Sequence, residues 1–300
     1  MKYCMPWIVA LLALSATLSA NAFDLGGLGD KLKEAEKKLD KAKTKIEQVE
    51  HETRFIRGDV SDKEERSIGR DLAATLVNAA PPVKNAALQR YVNRVGRWVA
   101  QQSSRPKLNW TFAVLDTDSI NAFAAPGGYV FITQPLFLLL ENEAQLAAVL
   151  GHEIAHIEEK HHIDALQKRS GSQLLTKGLL SASRDKLDKN NQKALDKLIG
   201  AGKQLYTSGL DRGDELAADR KGVVLATRAG YSPYAMLGVL ALLDGIDPSD
   251  KSMALMTHTH PAAGERLNAL EPAVVTSLTR YANQPEVASR LQKQQAKLLK

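Results

Sequence analysis

The stretch AAVLGHEIAHIEEKHH, residues 147–162, constrains this chain more than any other. It sets four histidines and three glutamates into one short span. His152-Glu153-Ile154-Ala155-His156 is an HExxH motif. Residues four apart share a helical face, so both imidazoles can reach one cation from a helix. Glu153 then stands at the edge of the same cleft. A carboxylate there can take a proton from an attacking water and pass it to a leaving amine. Two neutral imidazoles, an oxygen third ligand and an open fourth position describe catalytic zinc. Leu146, Val149 and Leu150 make the helix amphipathic, with one side buried.

A third ligand has to be found. One option is local. In an HExxHxxGxxH pattern the last histidine would be His162, but Glu159 holds the glycine position. IEEKHH carries no helix breaker, so the helix is expected to continue. His161 and His162 would then point away from the pair and face solvent with Glu158 and Glu159. The other option is distant. DRGDELAADRKG holds Glu215 and Asp219 four apart on one helical face. Glu215 is a candidate third ligand. Asp219 is a candidate acceptor for the spare N–H of a ligand histidine, which would set its tautomer. In MTHTHPAAGERL, His260 and Arg266 are candidates for holding an oxyanion. Alternatively His260 closes the open position and holds the site idle, or Pro261 simply starts a helix.

The first 22 residues read as a signal peptide. Lys2 is followed by an apolar run, and Ala20-Asn21-Ala22 fits a cleavage site before Phe23. The only cysteine, Cys4, lies in that segment. The mature chain is then expected to lack disulfides and thiol chemistry, and to be periplasmic. No later run reaches membrane-spanning length. The net charge of +6 is interleaved with acidic residues, which fits a solvated surface better than nucleic-acid binding.

Residues 23–60 form a further unit. There Leu32, Ala35, Leu39, Ala42, Ile46 and Val49 repeat as a heptad seam. This helix is expected to pack on the body, pair with an envelope partner, or stand exposed. Helical pattern continues over 62–103, broken at Pro81-Pro82. Trp110 to Leu115 alternates as a strand, Pro126-Gly127-Gly128 marks a turn, and YVFIT reads as a second strand. Helix is expected from about Pro135 through His162. Residues 172–207 read as a lysine-rich helical insertion or a mobile segment, and helices follow over 211–228, 233–245 and 261–270. Residues 276–300 form a basic helical tail, outside a catalytic domain spanning 61–275. The fold class is α+β and mainly α-helical, with a small β-sheet.

These pieces, in this order, resemble one family of zinc metallopeptidases. It is the gluzincin family that includes the bacterial heat-shock protease HtpX and the CAAX prenyl proteases. NAFAAPGGYVFIT, ENEAQLAAVLGHEIAHIEEKH, DELAADRKG and THPAAGERL carry the likeness. The resemblance implies a zincin-like core. It implies one zinc held by His152, His156 and Glu215, with Glu153 as general base and acid and Asp219 behind a ligand. His260 and Arg266 match positions near the metal. The strand region of Asn121, Ala122, Gly127, Gly128, Tyr129 and Val130 would bind substrate. Its edge, from Gly128 to Ile132, would take up an extended chain by strand addition. The function expected is an endopeptidase acting on unfolded or misfolded envelope proteins, with outer-membrane association. The alternatives are a zinc-binding, chaperone-like factor of the envelope, or a scaffold acting through residues 32–49.

Overall fold

The computed structural model describes residues 60–170 and 206–299, except 248, together with six positions between 34 and 43. The signal peptide, the heptad residues Leu32 to Val49 and segment 172–205 of the expected insertion lie outside the described residues. The chain divides into two compact units, Met1–Val49 and Glu50–Lys300. In the first, the described positions are helical and exposed, and Lys38 pairs with Glu34 at 2.8 Å. All that follows concerns the second.

Two helices precede the sheet. Helix α1 (Asp62–Ala79) starts at Ser61, whose capping box with Glu64 satisfies its first backbone donors. Pro81 and Pro82 interrupt the helical run. Asn85 then caps α2 (Ala86–Ala100), accepting from Leu88 N at 3.1 Å. Strands β1 (Thr111–Leu115), β2 (Ala122–Ala125) and β3 (Tyr129–Thr133) form one sheet in the order β1-β3-β2. β1 runs parallel to β3, and β2 antiparallel. Gly127 and Gly128 turn β2 into β3 with φ of 74° and 99°, values that favour glycine. Glu65 of α1 is fully buried beneath this turn. It accepts from Gly127 N at 2.8 Å and pairs with Arg105 at 2.6 Å.

Side chains alternate across the sheet. Val130 and Ile132 enter one apolar cluster with α2 and the later helices, and Phe131 enters a second with α1. The helix expected from Pro135 through His162 is broken twice. Pro135 opens the short α3 (Gln134–Leu139). Asn142 then caps α4 (Glu143–Glu158), accepting from Gln145 N at 2.9 Å. The second break, after Glu158, leads into α5 (His161–Ser170). Glu143 anchors the start of α4, accepting from the hydroxyls of Tyr91 and Tyr231 at 2.9 and 3.0 Å.

Beyond residue 206 come α6 (Arg212–Arg228), α7 (Ala235–Asp244), α8 (Ala254–Thr259), α9 (Ala263–Leu278) and α10 (Ala288–Gln295). The boundary expected at residue 275 falls inside α9. The tail beyond it is built into the body. Leu291 is fully buried, and Gln295 Nε2 donates to the carbonyls of Phe137 and Leu140, the open end of α3. The fold is mainly helical with a small sheet, as expected for a zincin-like core. Among the described residues, no helix is long and apolar enough to cross a membrane.

Candidate metal centre

Helix α4 is not amphipathic. Every residue from Glu143 to Ile157 is buried, so it runs through the middle of the fold. Helix α6 crosses it at two glycines. A Cβ on Gly151 would come within 2.7 Å of Gly222 O, and one on Gly222 within 2.6 Å of His152 N. That close approach brings the first turns of α6 against both histidines. Gly222→Ala is expected to cost about 1–3 kcal/mol through overpacking. It should also weaken binding of any cation held between the two helices. Denaturant titrations with and without added divalent metal check both effects.

Three side chains converge at the crossing. His152 Nε2 and His156 Nε2 are 3.0 Å apart. Glu215 Oε2 lies 3.5 Å from the first, and Glu215 Oε1 lies 3.4 Å from the second. Each residue offers a donor atom within 4.8 Å of the others, and all three are buried. The set suits a divalent cation: two imidazoles and one carboxylate, with room for a fourth ligand. Glu215 Oε2 is buried without a hydrogen-bond partner, an orphan that a cation between the three would satisfy.

The electrostatics agree. Burial opposes charge on His152, yet the carboxylates of Asp219 and Glu215 beside it outweigh this and lift its pKa to about 9. Burial, with the neighbouring histidines, pushes His156 well down. Burial also opposes charge on Glu215, but His260 and His152 hold its pKa at about 2. The pocket therefore draws in one positive charge, as a cation site does.

Glu153 follows His152 on α4 and is 3% exposed. Burial, reinforced by the charges of Glu215 and Asp219, raises it to about 7. It lines a cavity of about 30 Å³ with Ala122, Ala124, His156 and Tyr206.

Asp219 sits behind the centre. Its Oδ1 lies 2.9 Å from His152 Nδ1, the nitrogen turned away from Glu215. Arg266 is buried beside the same carboxylate. Its Nε and Nη2 donate to the two oxygens of Asp219 at 2.9 and 2.6 Å, and Nη2 lies 3.4 Å from His152 Nδ1. Nε and Nη2 thus both hold Asp219, behind the His152 ring, which gives Arg266 a part in fixing that carboxylate. His260 does face the centre. Its Nε2 lies 3.7 Å from Glu215 Oε2, while Thr259 Oγ1 lies 2.9 Å from its Nδ1.

The expected strand edge also moves. β3 is the central strand and is bonded on both sides, so Tyr129 and Val130 have no free backbone edge. Tyr129 instead stacks under the Arg66 guanidinium, 4.3 Å away, and Val130 is fully buried in the core. Gly127 and Gly128 belong to the turn. The strand facing the cavity is β2. Thr133 N donates to Asn121 O at 2.9 Å, so in this antiparallel register Ala122 and Ala124 turn their groups to the other edge. Asn121 Oδ1 accepts from Ala122 N, and Asn121 Nδ2 donates to Thr259 Oγ1 at 3.3 Å. The Tyr206 hydroxyl donates to Ala124 O at 3.0 Å.

Tyr206 was not legible as a site residue, because it ends a weakly patterned, lysine-rich stretch. His161 and His162 overturn a second expectation. They are 8% and 7% exposed, not solvated. Lys160 takes a left-handed φ of 59°, which ends α4 without a glycine. Glu158 is also covered: its side chain is 3% exposed and pairs with Lys221 at 3.1 Å.

Residues 86–274, from the first turn of α2 into α9, match the peptidase family M48. The chain belongs to that family. Membership implies a metal cofactor, which the donor set fits. The M48 chain is 31% identical over 223 residues to the "Beta-barrel assembly-enhancing protease" of Escherichia coli (strain K12), covering 71% of this chain and 46% of that protein. It is 30% identical over 182 residues to the "Mitochondrial metalloendopeptidase OMA1" of Schizosaccharomyces pombe, covering 60% and 51%. A Bos taurus OMA1 metalloendopeptidase shares 34% over 182 residues, covering 57% and 34%. The chain thus spans about half the length, or less, of these curated relatives.

Proposed function

We propose that this M48 chain is a zinc-dependent endopeptidase that cleaves unfolded or misfolded proteins of the cell envelope from the periplasmic side. The observation that carries the reading is the buried Glu153 carboxyl beside the convergent donors of His152, His156 and Glu215. One zinc per chain would be held by those three residues. When bound, zinc would supply Lewis-acid chemistry, polarising the scissile carbonyl and lowering the pKa of the attacking water. Glu153 takes the proton of the attacking water and returns it to the leaving amine. Its burial favours the protonated form, and a cation beside it draws the group back towards ionisation. Asp219, itself held by Arg266, orients His152. The envelope setting follows from the signal-peptide pattern and from the name of the Escherichia coli relative.

Substrate would bind as an extended chain against β2, at the outward carbonyls of Ala122 and Ala124. Tyr206 already occupies the second of these, and His260 Nε2 lies 3.7 Å from Glu215 Oε2, beside the three donors. Both contacts support a resting state that opens for substrate. His260→Ala is expected to speed casein cleavage about tenfold, the gain when a nine-tenths closed population is released. A slower variant would instead make His260 the oxyanion donor. If zinc-loaded wild type and His260→Ala both leave casein intact, the endopeptidase reading fails and the chaperone-like alternative gains.

A further inference from the structure

We propose that His161 is a positioning residue for His156, fixing the tautomer that presents His156 Nε2 to the metal. The inference rests on the metal-centre reading above. His156 Nε2 faces the convergent donors, 3.0 Å from His152 Nε2 and 3.4 Å from Glu215 Oε1. A nitrogen that ligates must be unprotonated, so the neutral ring carries its hydrogen on Nδ1. That N–H needs an acceptor in a buried site. The group in reach is His161 Nδ1, 3.0 Å away.

His161 must then accept at Nδ1 and carry its own hydrogen on Nε2. That nitrogen faces Asp214 Oδ1 at 3.8 Å. The polarity is consistent from end to end: Asp214 on α6, His161 at the start of α5, His156 on α4, then the donor cluster. The two ligand histidines are therefore supported differently. His152 has a carboxylate in hydrogen-bond reach behind it, and His156 has an imidazole whose far nitrogen lies 3.8 Å from a carboxylate, beyond a direct hydrogen bond. The left-handed turn at Lys160 places His161 here, since a continuous helix would carry it away.

Zinc affinity of the full chain, measured by competition with a chelator, tests this. His161→Phe keeps the bulk but removes the acceptor, and is expected to weaken zinc binding about 10–100-fold. His161→Asn returns an oxygen to the Nδ1 position and should stay within about threefold of wild type. The visible bands of the cobalt-substituted protein should shift in the Phe variant and not in the Asn variant. Thermal unfolding of the zinc-free proteins separates this from simple packing damage. If His161→Phe does not fold, His161→Leu, smaller and equally without an acceptor, carries the test with the same expected loss. Wild-type affinity in the folded Phe variant, or in His161→Leu when that variant carries the test, would overturn the proposal. An Asn variant as weak as Phe would also overturn it, leaving only a packing role. His152→Ala is the control. If it binds zinc normally, the metal-centre reading itself has failed; if only His161→Phe does, the positioning role alone has.

Discussion

Glu153→Gln is expected to lower kcat/KM on casein by about 10²–10⁴-fold while one zinc stays bound. The substitution keeps size and shape in a site where Glu153 is 3% exposed and packing would not forgive more. It removes only the ability to take and return a proton. Gln also carries no charge, and burial already favours the uncharged form of Glu153. The fold should therefore be no less stable. Casein cleavage, metal content and a melting curve on one preparation check all three statements. Equal rates in both proteins would remove Glu153 from the reaction. Loss of zinc would make it a ligand instead.

Arg266→Met is expected to destabilise the zinc-free protein by about 3–5 kcal/mol. Arg266 and Asp219 are 3% and 1% exposed, and two hydrogen bonds join them. Burial opposes the charge on Asp219, but the guanidinium overrides it and holds the carboxyl below its ordinary value. Removing the guanidinium leaves the buried carboxylate with His152 as its remaining partner, 2.9 Å away. The sign with pH follows. A depressed folded-state pKa contributes stability above the unfolded value, near 3.8, and loses it as pH falls below. The gap between wild type and Arg266→Met should therefore narrow in acid. Denaturant titrations at neutral pH and near pH 3 measure it. A constant gap would mean that packing, not charge, sets the cost. Zinc affinity should fall too, since an unanchored Asp219 no longer orients His152.

The HExxH ligands were legible because they depend on local geometry. Spacing by four on a helix points two imidazoles the same way in any fold. Glu215 was legible as a candidate by elimination, since Glu159 occupies the glycine position that a local third ligand would need. The same reasoning failed for His161 and His162. It assumed that a helix without glycine continues. Lys160 instead enters the left-handed region, and contacts distant in sequence support that turn. Lys160 Nζ donates to Val60 O at 2.8 Å, and Lys221 pairs with Glu158 at 3.1 Å. No pattern within IEEKHH records those partners.

The strand edge was misassigned for a related reason. Alternation marks a strand, but not which neighbour takes each edge. The parallel pairing of β1 with β3 occupies the edge that substrate was expected to use. That left β2 facing the cavity, with Tyr206 against it. Arg266 shows the same limit. A basic residue near a metal motif suits an oxyanion or a buried aspartate equally well until the helices are packed.

The sequence by itself brought forward His152, His156 and Glu215 as candidate donors, and determined the mainly helical class and the small sheet. These follow from residue type and period along a single element. Only the tertiary structure decided which way Arg266, His260 and His161 face, and which strand borders the cavity. Those depend on how closely α4 and α6 cross at Gly151 and Gly222, and on charges buried between elements far apart in the chain.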